Sequence, residues 1–112
     1  NLTSMKLEAT FTPYTLTFNF DARTSRGAMK TKDTWLVRLA DADQPGKFGW
    51  GECSTLPKLS IDYLPDYEDN LEQFGKMLGQ VKKLEDLYKL PDIELYPSIL
   101  FGLETALLDL LN

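Results

Sequence analysis

Four groups of residues have the types and spacing that could do chemistry. Lys30-Thr31-Lys32 sets two amines two positions apart, able to act as an acid and a base, and Cys53 offers a nucleophile. The carboxylates Asp66, Glu68, Asp69 and Glu85-Asp86 could gather a metal, and Gly49-Trp50-Gly51-Glu52 has glycines where a phosphate could approach backbone. Each also has a plainer reading, and the rest of the chain favours it. The sequence contains no histidine, so Cys53 has no imidazole to lower its pKa or take its proton. The same lack removes the commonest neutral-pH base and the commonest zinc ligand. Cys53 is the single cysteine and is expected as a buried packing thiol with no internal disulfide. The lysine pair falls where a polar loop enters a strand, with no metal-binding carboxylates on successive strands after it, and reads as solvated. The acidic clusters read as first-turn charges and solvated helix faces, without calcium-loop spacing. No helix follows the Gly-x-Gly to make a phosphate cradle, so its glycines mark close backbone approach in a strand. Neither catalytic nor metal-binding residues are expected within this chain.

The elements that would position any site follow from hydrophobic spacing. Apolar residues alternate at Leu7, Ala9 and Phe11 and then, with the phase flipped at Pro13, at Tyr14, Leu16, Phe18 and Phe20. A proline that resets the phase predicts a bulge or an edge strand, because proline cannot donate to the ladder. A second strand is predicted over Thr34 to Ala40 and a third over Phe48 to Cys53, after a Gln44-Pro45-Gly46 turn, which together make a three-stranded antiparallel meander. The polar stretch Asp21 to Lys32 is too long for a tight turn and reads as a loop. A second loop, Ser54 to Pro65, is apolar enough to suggest that it covers something. Tyr67, Leu71, Phe74 and Leu78 then form one helical stripe between Pro65 and Gly79. A short helical turn around Leu84 to Leu90 stops at Pro91, and Pro97 or Ser98 opens a last helix that is apolar on nearly every side. The fold class is α+β: the meander followed by a small helical bundle.

Composition narrows the function classes. At 112 residues, 43% hydrophobic and 26% charged, the chain has the make-up of one globular domain, with no apolar run long enough to span a bilayer. A net charge of −5 argues against nucleic acid as a partner. One cysteine and no signal peptide point to a reducing cytoplasm. Asn1 to Ser4 precede Met5 and read as an expression-tag remnant, leaving 5–112 as the domain. The last helix halts without a glycine cap or polar tail, so the chain is expected to be cut from a longer protein, with part of that helix facing the missing portion.

The order of these features resembles a known family. A strand, a long polar loop, a strand ending Trp35-Leu36-Val37-Arg38-Leu39, a turn and Gly49-Trp50-Gly51-Glu52-Cys53-Ser54-Thr55-Leu56-Pro57 are similar to the amino-terminal capping domain of the enolase superfamily. The likeness is to its muconate-lactonizing and mandelate-racemase branch. Pro97-Ser98 and Gly102-Leu103-Glu104-Thr105-Ala106-Leu107-Leu108-Asp109-Leu110 look like that family's helix leading into its barrel. Within the superfamily, Arg26 to Asp33 with Gly51-Glu52 and Leu56-Pro57 most resembles the o-succinylbenzoate synthases.

The resemblance implies a lid over the mouth of a carboxy-terminal barrel that holds the lysine base and Mg2+, with a small carboxylate as substrate. It implies that Asp21 to Lys32 and Ser54 to Tyr63 are the closing loops. Arg26 would then contact a substrate carboxylate or lock the lid, Gly27 would be a hinge, and Met29, Leu56 and Pro57 would form an apolar roof. Dipeptide epimerases, N-acylamino acid racemases and muconate cycloisomerases share the fold and stay open as alternatives, as does an autonomous interaction module. The barrel is the expected partner, and a homo-oligomer is left open.

Overall fold

The computed structural model describes residues 5–19, 29–54 and 66–112, with side chains over 5–13, 34–53 and 66–112. Strands β1 (Leu7–Asn19), β2 (Met29–Asp41) and β3 (Phe48–Ser54) form one antiparallel sheet in the order β1-β2-β3. Helix α1 (Tyr67–Met77) follows, then 3₁₀ turns at Leu78–Gln80, Leu84–Lys89 and Ile93–Leu95, and finally helix α2 (Pro97–Leu111). The meander with helices after it is the expected α+β fold.

One strand detail resolves an alternative that the sequence left open, and another differs from the sequence reading. Pairing of β1 with β2 runs one-to-one from Leu7 opposite Asp41 to Asn19 opposite Met29, with Pro13 opposite Trp35, so no residue is bulged at the phase flip. Pro13 lies on an edge strand, the other position expected for a residue that cannot donate to the ladder. The difference lies in the polar stretch, expected as loop through Lys32. There β2 already begins at Met29, because Leu16–Asn19 supply it with a partner and a ladder propagates through polar residues once paired. β3 pairs only with Thr34–Ala40. The five further β1–β2 pairs extend as a two-stranded ribbon about 17 Å past it, at roughly 3.4 Å per residue.

Helices cover one face of the sheet. Val37, Leu39 and Cys53 from the strands meet Leu71 and Phe74 of α1 and Ile99, Leu103, Ala106, Leu107 and Leu110 of α2, all buried. The α1 stripe is as predicted, with Tyr67, Leu71, Phe74 and Leu78 all turned inward. Phe74 also meets Tyr96 edge-on at 5.4 Å between centroids. α2 is apolar all round yet buries one side only. Phe101 (63% exposed), Leu108 (45%) and Leu111 (50%) stand outward, because a layer this thin has nothing to place beyond them. Among the described residues no helix is long and apolar enough to cross a membrane.

α2 lies unusually close to β3, and glycine is the reason. A Cβ built on Gly49 or Gly51 would fall on the Ala106 or Gly102 carbonyl oxygen, respectively, and one on Gly102 would fall on Cys53 Sγ and 2.9 Å from the Glu52 carbonyl oxygen. The approach also closes the free edge of β3, where Asp109 of α2 accepts the Trp50 N–H at 2.8 Å. Cys53 is the buried packing thiol that was expected, 3.8 Å from the Ile99 carbonyl.

The far end of the sheet is held by Asp41, which is buried. Its Oδ1 accepts the N–H groups of Asp43 (3.0 Å) and Lys6 (3.2 Å), and its Oδ2 accepts the Gln44 side chain (3.1 Å). The Asp43 amide above all, then those of Lys6 and Gln44, with Lys47 nearby, hold its carboxyl below the usual aspartate range against the opposing effect of burial. Gly46, at φ 87°, completes the turn predicted at Gln44-Pro45-Gly46.

Gly102→Val should destabilise the chain by at least about 2 kcal/mol through overpacking against β3, whereas Gly79→Ala, with nothing within 4 Å, should be neutral or mildly stabilising. Urea titration of both variants checks the contrast. Because the folded pKa of Asp41 is depressed, its contribution is complete above the unfolded value of about 3.9 and lost as pH falls through the lower folded value. Asp41→Asn should flatten stability against pH in that acidic window, and Asp41→Ala should cost about 2 kcal/mol at neutral pH; thermal melts across pH 2–6 read both.

Candidate functional site

Most of the residues expected to face a substrate, Arg26, Gly27, Leu56 and Pro57, lie outside the described residues. Met29 is placed in backbone only, as the first residue of β2 opposite Asn19. What can be built from the residues upward is the frame that holds the two segments, 20–28 and 55–65.

Both segments arise at the same end of the sheet. Residues 20–28 join Asn19 to Met29, a directly paired couple whose Cα atoms are held about 5 Å apart by the ladder. The ladder therefore holds the two residues that flank this segment together. Residues 55–65 leave from Ser54, which pairs with Thr34, itself opposite Tyr14 on β1. The ribbon continues beyond that level, so the tip bearing 20–28 stands about five residues further out than the departure of 55–65.

The second segment is also fixed at both ends to the first turns of α2. On the leaving side, Thr34, 1% exposed, donates its hydroxyl to the Cys53 carbonyl at 3.3 Å, while Cys53 packs on Ile99 and Gly102. On the returning side, Tyr67 opens α1 and its phenol shares a 2.7 Å hydrogen bond with the Ser98 hydroxyl. Pro97 at the first position of α2 needs no N–H partner, which suits a helix start placed in this corner. The segment 55–65 is eleven residues long, and the anchors on both sides of it converge on Ser98–Gly102.

The candidates set aside as structural fall as follows. Lys30 and Lys32 are the second and fourth residues of β2, where the strand begins. Glu68 and Asp69 are first-turn charges on the exposed side of α1. Asp86 is more than a solvated charge: it accepts the Lys82 N–H at 2.9 Å and faces Lys89 at 4.0 Å, and the Lys82 amide chiefly holds its carboxyl below the ordinary value. The Tyr88 phenol donates to Glu104 on α2, which raises its pKa above the usual tyrosine value. Sequence reasoning passed over Asp41, Asp109 and the Tyr67–Ser98 pair. Only Asp41 carried a local signal, an aspartate just before a turn. Among the described residues no three His, Cys, Asp or Glu side chains gather as a metal site.

Three comparisons bear on what this frame serves. A family described as "MenC, N-terminal domain" matches residues 6–110. Among curated proteins, the chain is 28% identical to an o-succinylbenzoate synthase of Desulfotalea psychrophila over 95% of its own length and 35% of that protein's. It is 34% identical to the o-succinylbenzoate synthases of Photorhabdus laumondii and Proteus mirabilis, over 73% of this chain and 22% of each of theirs. The chain thus spans between about a fifth and a third of the relatives it matches. No solved structure matches.

Tyr67→Phe should remove one buried-edge hydrogen bond and lower stability by about 1 kcal/mol, while leaving helix content unchanged. Limited proteolysis within 55–65 should quicken in that variant; cleavage at the wild-type rate would mean that the Tyr67–Ser98 bond does not anchor the segment.

Proposed function

The chain belongs to the MenC N-terminal domain family, and from that premise we propose that it is the substrate-capping and specificity domain of an o-succinylbenzoate synthase. The reaction is the dehydration of 2-succinyl-6-hydroxy-2,4-cyclohexadiene-1-carboxylate in menaquinone biosynthesis, a lyase step in the cytoplasm. The observation that carries the reading is that Asn19, Met29 and Ser54, which flank both candidate segments, lie toward one end of the sheet, in a chain matched to the family along almost its whole length.

In this reading the proton transfers belong to the carboxy-terminal barrel, where Mg2+ would stabilise charge developing on the substrate carboxylate. This chain supplies enclosure. Segments 20–28 and 55–65 close over the barrel mouth, exclude water and orient the substrate. Arg26 pairs with a substrate carboxylate, Gly27 is the hinge, and Met29, Leu56 and Pro57 roof the apolar part of the substrate. The paired base Asn19–Met29 and the anchoring of 55–65 on α2 support this role, since a lid positions well only when its ends are fixed.

The test is made in the full-length enzyme. Arg26→Ala should lower kcat/KM for the dehydration by roughly ten- to a hundredfold, the loss of one charge-assisted contact of about 1.5–3 kcal/mol. Lys30→Ala should stay within about twofold, as surface changes usually do. An Arg26→Ala enzyme that matches wild type would remove the assigned role, and full-length protein that epimerises dipeptides but does not dehydrate would remove the named reaction.

A further inference from the structure

At the opposite end of the sheet from segments 20–28 and 55–65, a cleft of about 930 Å3 opens between the β2–β3 turn, the chain before the Leu84–Lys89 turn and the last residues of α2. Its rim carries the ammonium-bearing side chains of Lys47, Lys82 and Lys83 and the Gln44 amide; Met5, Leu84, Leu110 and Leu111 supply an apolar lining. On a chain of net charge −5, three lysines against the two carboxylates of Asp41 and Glu85 leave this cleft with an excess of one positive charge.

Both walls are set by aspartates whose charge is already engaged. Asp41, 3% exposed, binds the amides of Lys6 and Asp43 and the Gln44 side chain, and so fixes the turn that carries Lys47. Asp86 accepts the Lys82 N–H and fixes the Lys82–Lys83 backbone on the facing wall. Lys82 donates one ammonium proton to the Met5 carbonyl at 3.2 Å, which holds the amine over the cleft with two donors left over. Glu85 is the remaining carboxylate on the rim, so the cleft suits one negative charge better than two.

We propose that this cleft is a binding site for a small organic monoanion, a carboxylate with an apolar body, whose charge lies among Lys47, Lys82 and Lys83 and whose body rests on Leu84, Leu110 and Leu111. A bare inorganic anion would leave the apolar lining in water, and a neutral aromatic would leave the ammonium groups unanswered. Neither is expected to bind as well as the combination. The site is separate from the proposed lid in both place and residues.

The experiment uses the 112-residue chain, ¹H–¹⁵N NMR and benzoate as the probe. Benzyl alcohol serves as the neutral comparison and inorganic phosphate as the bare anion. Benzoate should shift the amides of Lys47, Lys83, Leu110 and Leu111 saturably, bind at least about fivefold more tightly than either comparison, and weaken as salt rises. Lys47→Ala and Lys83→Ala should each weaken it about threefold, the scale of an exposed ion pair, and the double variant about tenfold. Lys76→Ala, an exposed lysine elsewhere on α1, should bind as wild type. Equal shifts from benzyl alcohol, phosphate binding as tight as benzoate, or a Lys47→Ala/Lys83→Ala chain that binds normally would each overturn the assignment. Full-length enzyme with normal dehydration and no benzoate binding would overturn this site alone, leaving the lid reading intact.

Discussion

The structure depends on how closely α2 can lie along β3. Gly49 and Gly51 on the strand and Gly102 on the helix remove the three side chains that would hold the two backbones apart, since a Cβ at any of them would strike backbone or the Cys53 sulfur. Close approach lets the flat face of β3 take Leu103, Ala106, Leu107 and Leu110 against Val37 and Leu39 with no intervening layer. In a chain of 112 residues this matters, because a small domain buries a modest share of its surface and loses stability quickly to any gap. It also brings Asp109 to the Trp50 amide, so the helix that completes the core also covers an edge open to other strands.

From that contact the ends of the domain follow. At one end α2 begins beside Cys53 and ties Ser98 to Tyr67, which makes a single corner from the close of β3 and the starts of both helices. Residues 55–65 depart from and return to this corner, and the β1–β2 ribbon carries 20–28 beyond it. The frame itself is stabilised by burial and backbone pairing. At the other end α2 finishes beside the β2–β3 turn, where Asp41 spends its carboxylate on backbone and side-chain donors and leaves three lysines around an apolar hollow.

Short acidic side chains thus do different work from what their surface positions suggest. Asp41, Asp86 and Asp109 each accept a backbone N–H that no strand or helix partner supplies, and each belongs to a place where a regular element ends or meets another. Phe101, Leu108 and Leu111 of α2 stay outward and apolar. In relatives three to more than four times as long as the matched stretch, more protein exists than this sheet and its helices can account for.

Local chemistry alone determined a good deal. Two-residue periodicity at Leu7 to Phe11 and Trp35 to Leu39, the Pro45-Gly46 turn and the Tyr67, Leu71, Phe74, Leu78 stripe define the meander and α1, because pleat and helix repeat impose those spacings whatever surrounds them. The order of Trp35-Leu36-Val37, Gly49-Trp50-Gly51-Glu52 and Gly102 to Leu110 carried the family, and the lack of histidine pointed chemistry away from this domain. The rest needed three dimensions. Whether Met29 to Lys32 is loop or strand depends on partners ten or more residues away, and a phase flip at Pro13 does not say whether the strand bulges or simply runs on at an edge. That the glycines of β3 meet the backbone of α2, that Asp109 reaches Trp50 across 59 positions and that Lys47 and Lys83 line one cleft are matters of packing, decided by which surfaces α2 could approach and not by any residue's own preference.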